Sequence, residues 1–401
     1  MSSNAVKKKS LIIFIAVYIA YTAIYVARLN LSMASPEMKD IGMLNSAQIG
    51  LLGSLFSVIY ACGRLLNGIL SDRVAPWKMI CTGLTAAGLS NLAIGFLPPF
   101  AGMALFWSTN AFAQSMLWSS VLCVVSSLYD PETAKKRTSI MVTSVATGNI
   151  IGILLNLWLI ENFGLRWAFI IPGAITIVLA GVCLTLIKAI PAPAQSAAKK
   201  HINVFSLLIN REIRTAVMPA FLHGVMKDNI TLWMTVFFVE RYAIDLNASA
   251  WFVLLIPVVG FVGRTIYSGI YKLCGNQEHK VSVYGFVACL VFALVMCVPN
   301  VPPVAAMLAL SMIYAATSVI NTSFLSIYPI RFVDTGNVAS VSGVMDFVTY
   351  LGAGVASACY GVVIDGFGYT PMFVSWAVIS ALGVVLVLRL VKVQQMMAQK
   401  N

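Results

Sequence analysis

Charge is what this sequence has least of. Only 10% of its 401 residues are Asp, Glu, Lys or Arg, and only three are His, where soluble domains carry about 25% charged residues. With 60% hydrophobic residues, the chain has too little polar surface to cover a water-exposed globule. Apolar runs of about 20 residues or more recur from end to end, each long enough to cross about 30 Å of hydrocarbon as a helix. No soluble catalytic domain fits between them.

Other absences narrow the function. The eight cysteines show no CxxC or CxxH spacing, which excludes a disulfide framework and a zinc site; lying mostly within apolar runs, they read as packing residues. A G-x(4)-GK[ST] loop is missing, so any transport draws on a gradient rather than ATP. Neither a nucleophile–base pair nor a metal cluster is evident, so an enzyme is the least expected reading and no cofactor is expected. Acidic residues number 14 against 26 basic ones, a net charge of +12. The basic residues gather in alternate short loops rather than on one amphipathic face, which points to a lipid bilayer and away from nucleic acid. Lys7, Lys8 and Lys9 precede an apolar run too long for a signal-peptide core and without a small-residue cleavage pattern, so this run reads as a retained first span.

What is present predicts an all-α integral membrane protein of twelve spans, at about 10–34, 47–70, 78–97, 101–128, 138–160, 168–188, 213–240, 249–271, 281–298, 303–328, 338–363 and 371–391. Pro191, Pro193 and small polar residues interrupt the pattern between the sixth and seventh. The expected organisation is a six-helix half over 1–189, a cytoplasmic linker over 190–211 and a second half over 212–401. Nineteen of the 26 basic residues fall in one set of loops and only Lys39, Arg166 and Arg241 in the other. By the positive-inside rule both termini are expected in the cytoplasm of a multi-pass cell-membrane protein.

The remaining four, Arg28, Arg64, Lys227 and Arg264, lie within spans. Arg28 ends a stripe formed with Tyr18, Tyr21 and Tyr25 at spacings of three and four on one helix face. An arginine inside a bilayer costs from roughly 3 to more than 10 kcal/mol, so such a residue faces water, a partner charge or a ligand. Snorkelling to the headgroups or pairing with Asp346 are the plainer alternatives. Four cations face only Asp228 and Asp346 within spans, and a bound anion is the simplest neutraliser of the excess. Asp228 is expected to point about 100° away from Lys227 and to serve another partner. Asp346 pairs with Arg28 or Lys227 either permanently or until substrate arrives. His223 is open between a substrate donor, a proton-coupling group and a packing residue.

Gly63-Arg64-Leu-Leu-Asn-Gly68-Ile69 in the second span is echoed by Gly263-Arg264-Thr-Ile-Tyr-Ser-Gly269-Ile270 in the eighth. Such an echo is what duplicated halves with a midplane site would leave, although Gly68 and Gly269 also suit close helix contact. The run Gly68-Ile-Leu-Ser-Asp72-Arg73 resembles the G-x-L-x-D-R loop motif of the major facilitator superfamily, and Asp72 and Arg73 read as a gate latch rather than a binding site. Their plainer alternative is a solvated ion pair worth at most about 1 kcal/mol. The counterpart after the eighth span, Gly269-Ile-Tyr-Lys272-Leu-Cys274-Gly275, lacks the aspartate.

A narrower resemblance is to the organophosphate:phosphate antiporters of that superfamily. Tyr21, Tyr25, Arg28, Asn30, Ala34 and Pro36 match the branch's first helix; Gln114-Ser-Met116-Leu-Trp118 matches a Q-x-M-x-W stretch; and Arg64 falls where these proteins place a cavity lysine. Gly343-Val-Met-Asp346-Phe-Val-Thr-Tyr350-Leu-Gly352 and Ile364-Asp365-Gly-Phe367-Gly368 match the eleventh-helix G-x(6)-YLG and D-F-G pattern. The resemblance implies a major facilitator fold of two pseudo-symmetric six-helix halves and a substrate site lined by Tyr21, Tyr25 and Arg28. It also raises Trp118, Asn149 and Tyr350, otherwise packing or bilayer-facing residues, as candidates. The seventh-helix arginine of the branch is missing: His223 aligns with it, Lys227 stands one turn further on, and the fifth-helix histidine near Gly148 and Asn149 is absent too.

The first functional expectation is therefore a secondary transporter, working as a monomer by alternating access. Its substrate is a small organic anion, a phosphorylated metabolite exchanged for phosphate or another anion. The alternatives are a proton-coupled transporter of a carboxylate or an amphipathic compound, and a transporter-like ligand sensor.

Overall fold

In a bilayer core each backbone N–H and C=O must find its partner within the protein, and an apolar run about 20 residues long does so as a helix. The computed structural model describes residues 3–71, 73–188, 190, 210–332 and 338–398, and among these all regular structure is helical. The α-helices are α1 (Ser3–Asp40), α2 (Ser46–Ser71), α3 (Pro76–Gly95), α4 (Phe100–Ser115), α5 (Leu117–Leu128), α6 (Pro131–Phe163) and α7 (Trp167–Ile187). They continue as α8 (Arg211–Tyr242), α9 (Leu246–Leu273), α10 (Glu278–Cys297), α11 (Pro303–Thr322), α12 (Val338–Phe367) and α13 (Thr370–Ala398). Most of the expected linker, residues 191–209, and Asp72 lie outside the described residues.

Among the described residues, nine helical spans are long and apolar enough to cross a membrane, and a tenth is α9 if its two segments count as one. These segments, Trp251–Gly263 and Thr265–Leu273, meet at a bend of 46°. Helices α3 and α8 are not among the nine. The first is rich in Gly, Ser, Thr and Asn, and the second carries Lys227 and Asp228 besides charges in its first turn.

Two expected single spans are interrupted. The fourth breaks into α4 and α5 at Met116, whose N–H bonds to Ala113 O at 3.2 Å in the tighter pattern of a 3₁₀ turn. Beside it, the Ser115 hydroxyl donates to Phe112 O at 2.6 Å and accepts from Asn67 Nδ2 at 2.8 Å, competing with the backbone ladder. The tenth leaves the α-form after Thr322, passing into a π-turn over Ser323–Ile327 and a 3₁₀ turn over Tyr328–Phe332. Helices also run past the expected ends. The fifth expected span, α6, begins at Pro131 rather than near 138, because Asp130 caps it, accepting from Thr133 N at 3.1 Å, with Pro131 at the first position and Glu132 in the first turn. The bonds from Thr133 hold the Asp130 carboxyl below its ordinary pKa.

The chain divides into two compact units, Met1–Leu44 with Ile59–Ala198, and Asn45–Val58 with Lys199–Asn401. The start of α2 thus packs in the second unit, where Asp365 accepts hydrogen bonds from Ser46 N at 3.1 Å and Ala47 N at 2.8 Å and caps the helix. Within each unit the same helix pairings recur. In the first, α1 packs on α6, α3 on α7 and α3 on α4; in the second, α8 packs on α12, α10 on α13 and α10 on α11. This is the internal repeat in three dimensions. The second unit also holds an ion-pair cluster: Arg331 meets Glu212 of α8 at 3.2 Å and Glu278 of α10 at 3.0 Å, and Gln394 of α13 donates to Glu212 at 2.9 Å.

Glycine sets the closest approach in both units. A Cβ on Gly148 of α6 would stand 2.6 Å from Thr22 O and 2.6 Å from Tyr25 Cβ on α1. On Gly224 of α8 it would overlap the carbonyl oxygen of Thr349 on α12. Thr349 Oγ1 donates to Ala220 O at 3.3 Å and Asn229 Nδ2 to Ala353 O at 3.3 Å, strapping the second crossing above and below. Because backbone atoms cannot step aside, Gly224→Ala is expected to lower stability by about 1–3 kcal/mol. Thermal melting of the purified protein in detergent checks this, and an unchanged midpoint would show that the two helices can part at no cost.

Candidate functional site

In the first unit the crossing at Gly148 presses α6 against the Tyr25 turn of α1. This leaves the next turn, with Arg28, turned to the second half of α2. Arg28 Cζ lies 5.9 Å from the ring centroid of Tyr25 and 5.0 Å from that of Tyr60. Arg64, one turn beyond Tyr60, places its Cζ 5.9 Å from the same Tyr60 ring. Two guanidinium groups thus converge on one aromatic side chain. Rings behind them fix the arrangement: Tyr21 meets Tyr25 edge-on at 5.5 Å and Trp118 at 5.2 Å, and both Tyr21 and Tyr60 are buried. The bond from Asn67 to Ser115 ties the Arg64 helix to the end of α4, close in sequence to Trp118.

The structure therefore brings Tyr21, Tyr25, Arg28, Arg64 and Trp118 into one cluster. Tyr18, the first residue of the stripe, turns instead to α6, where its hydroxyl lies 3.0 Å from Thr143 Oγ1 and 3.1 Å from Thr147 Oγ1. Asn149 is half-buried on α6 beside Gly148, and among the described residues no hydrogen bond, ion pair or ring contact ties it to the cluster. Arg73 is exposed in the turn after α2, its N–H bonded to Leu70 O at 3.0 Å. Tyr60 was missed by the sequence reading. Its signal was available, an aromatic residue four positions before an intramembrane arginine.

In the second unit the Gly224 crossing does for Lys227 what Gly148 does for Arg28. Lys227 stands on α8 three residues past Gly224, Tyr350 follows Thr349 on α12, and the Lys227 ammonium lies 5.3 Å from the Tyr350 centroid. Asp346 is half-buried one turn before Tyr350 on the same helix. Asp228, expected to serve a partner other than its neighbour, also meets that neighbour: Lys227 Nζ and Asp228 Oδ1 are 3.4 Å apart. Adjacent Cβ atoms do diverge by about 100° on a helix, but the four-carbon lysine stem is long enough to curl back to the carboxylate. His223, one turn before Lys227, is fully buried, and neither ring nitrogen has a hydrogen-bond partner among the described residues. For Arg264 the backbone alone is described, at the bend of α9.

Chemically, the first cluster sets two cations against aromatic rings. A guanidinium over an aromatic face gains about 0.5–2 kcal/mol depending on desolvation, and two planar forks at one ring suit an oxyanion with several acceptor oxygens. Tyr60→Phe, which keeps the ring, should cost less stability than Tyr60→Leu, which should lower it by about 1–2 kcal/mol through the lost face. Melting both variants tests this, and equal melting points would show that the ring does not hold the guanidinium groups.

Comparison with known proteins follows the same lines. Over 180 residues the chain is 27% identical to the "Probable hexose phosphate transport protein" of Chlamydia muridarum, covering 45% of this chain and 39% of that protein. It is 24% identical over 277 residues to the "Membrane sensor protein UhpC" of Salmonella typhimurium, covering 63% and 62%. To the glycerol-3-phosphate transporter of Bacillus subtilis it is 24% identical over 194 residues, covering 47% and 43%. The matched stretches span less than two thirds of each of these relatives. Among solved structures, a point mutant of the nucleoside transporter NupG superposes with a TM-score of 0.80 at 15% identity, over 95% of this chain and 99% of that one. A bacterial homologue of the human lysosomal transporter Spinster superposes with a TM-score of 0.72 at 15% identity, over 96% and 94%. These likenesses are of fold. Residues 13–357 match the family described as Major Facilitator Superfamily, and the chain, a multi-pass membrane protein, belongs to that superfamily.

Proposed function

We propose that this chain is a secondary transporter of a small organic anion, with a phosphorylated metabolite exchanged for inorganic phosphate as its working cycle. One observation carries the reading: Arg28 and Arg64 are both held against Tyr60. The antiporter branch it resembles draws its second arginine from the seventh helix, where this chain has His223. In this reading Arg64 supplies the second guanidinium from the same unit as Arg28. The names of the relatives, a hexose phosphate transport protein and a glycerol-3-phosphate transporter, fit a phosphorylated cargo.

Several further features belong to the proposal. Helices α3 and α8 complete twelve spans, divided into halves at 1–189 and 212–401 with the linker 190–211 between them. Both termini lie on the cytoplasmic side, by the distribution of lysine and arginine. Lys227, His223, Asn149, Arg264, Asp346 and Tyr350 contribute to substrate handling, Asp72 and Arg73 act as the gate latch, and the monomer is the working unit. A second reading, a ligand sensor, draws on the 277-residue match to a membrane sensor protein.

Arg28→Lys, which keeps the charge and removes the fork, is expected to cut phosphate exchange in proteoliposomes by about 100-fold or more, the loss of about 3 kcal/mol of bidentate recognition, while the protein remains monodisperse. Normal exchange by this variant would put the site elsewhere. Phosphate binding by the wild type with no flux would favour the sensor.

A further inference from the structure

Arg137, in the second turn of α6, is half-buried, and among the described residues it makes no hydrogen bond and no ion pair. We propose that Arg137 anchors a binding site for the phosphodiester headgroup of an anionic phospholipid, set between the first turns of α1 and α6. The site is separate from the Arg28 cluster. Phe14, the ring beside Arg137, precedes Arg28 by 14 residues, about 21 Å along α1 at 1.5 Å per residue.

Local packing builds a corner for the guanidinium. The hydroxyl of Tyr129, in the turn before α6, donates to Ser10 O at 3.0 Å and ties that turn to α1. Tyr129 then meets Phe14, one turn beyond Ser10, edge-on, with centroids 6.2 Å apart and planes at 79°. Arg137 Cζ lies 5.0 Å from the Phe14 centroid and 5.3 Å from that of Tyr129. Phe14 is buried, and both rings belong to one apolar core with Val17, Val124 and Ile187. Packing and two cation–π contacts therefore hold the guanidinium, while its five N–H donors have no acceptor among the described residues. A planar fork held in this way loses little further freedom on binding and matches two phosphate oxygens at once.

Charge and position select a lipid. Lys7, Lys8 and Lys9 precede Phe14, and Lys135 and Lys136 precede Arg137, against Asp130 and Glu132. Asp130 is engaged in capping α6, and Lys7, Lys8, Lys9 and Lys136 are exposed. Basic clusters beside a membrane span attract anionic lipid, and they favour a net negative headgroup over a zwitterionic one. The sorting of loop lysines to one side of a membrane accounts for charge at this end, but not for an arginine seated in a corner of two rings. Arg137 also stands just ahead of the apolar part of its span, where headgroups give way to hydrocarbon. On the same two helices Ile12, Ile15 and Ile19 of α1 and Ile140 of α6 are 45%, 47%, 46% and 44% exposed. A phospholipid can lay its acyl chains on these side chains, whereas a free phosphorylated anion gains nothing from them.

Thermal melting of the full chain in a non-ionic detergent tests this. The probes are dioctanoyl-phosphatidylglycerol, zwitterionic dioctanoyl-phosphatidylcholine, and inorganic phosphate as the free anion. Wild type should be stabilised saturably by phosphatidylglycerol and much less by phosphatidylcholine. Arg137→Gln should raise the half-saturating phosphatidylglycerol concentration by about tenfold or more, through lost charge-assisted hydrogen bonds, and should respond to inorganic phosphate as wild type does. Lys78→Gln removes an exposed cation that lies over Trp77 at the start of α3, and should respond to the lipid as wild type does. The proposal is overturned by equal stabilisation of wild type by the two lipids, by an unaltered lipid response in Arg137→Gln, or by equal losses in Arg137→Gln and Lys78→Gln. A response to inorganic phosphate that Arg137→Gln abolishes gives the site to a free anion and also overturns it. If Arg137→Gln does not fold, Arg137→Lys, which keeps the charge without the fork, must weaken the phosphatidylglycerol response, and an unchanged response counts against the proposal. None of these readouts requires the chain to transport an anion, so failure of the transport reading and failure of the lipid site are distinct.

Discussion

Keeping a guanidinium charged among apolar helices is expensive, and the first unit is arranged around meeting that cost at Arg28. Aromatic faces contribute to meeting it. Tyr25 and Tyr60 stand beside the guanidinium, and Tyr21 and Trp118 pack behind them. None of this would meet at the right height if α1 and α6 were held apart by a side chain, and Gly148 removes that side chain beside Tyr25. Arg64 approaches the same ring from α2, so two like charges neighbour one tyrosine, and in the proposed function one anion accepts from both.

The second unit repeats the device with different chemistry. Its first helix, α8, again crosses its fifth by a glycine, and again a cation follows the crossing and lies over a tyrosine. Here the cation is an ammonium rather than a guanidinium, and its carboxylate neighbour sits on the same helix. A compact ammonium forms and leaves ion pairs more readily than a planar fork matched to two oxygens. The repeat thus keeps a cation beside a tyrosine while changing the cation.

Much of this was legible in the sequence. The stripe of Tyr21, Tyr25 and Arg28 follows from helical spacing, and the helix pairings recur in the two units. What escaped has physical causes. Tyr60 is one tyrosine in an apolar run, and only the reach of Arg28 from α1 adds a second cation to Arg64 of its own helix. The angle between Cβ vectors does not by itself rule out the Lys227–Asp228 contact, since a flexible side chain reaches round the helix. Breaks at Met116 and after Thr322 arise from local side-chain competition and turn geometry that hydropathy does not register. Arg331 read as one more loop charge because Glu212 and Glu278, its partners, lie far away in sequence and meet it only where α8 and α10 begin.

The most direct measurement for the paired-guanidinium account is ligand-induced stabilisation of the purified protein, which reports binding without assuming any transport mode. Phosphorylated metabolites, carboxylates and lipophilic cations would be compared on wild type and on Arg64→Gln. The account predicts that phosphorylated anions raise the melting temperature of wild type in a saturable way, and that Arg64→Gln loses most of the shift while melting normally without ligand. Equal stabilisation of both proteins by those anions, or stabilisation of wild type by lipophilic cations alone, would contradict it.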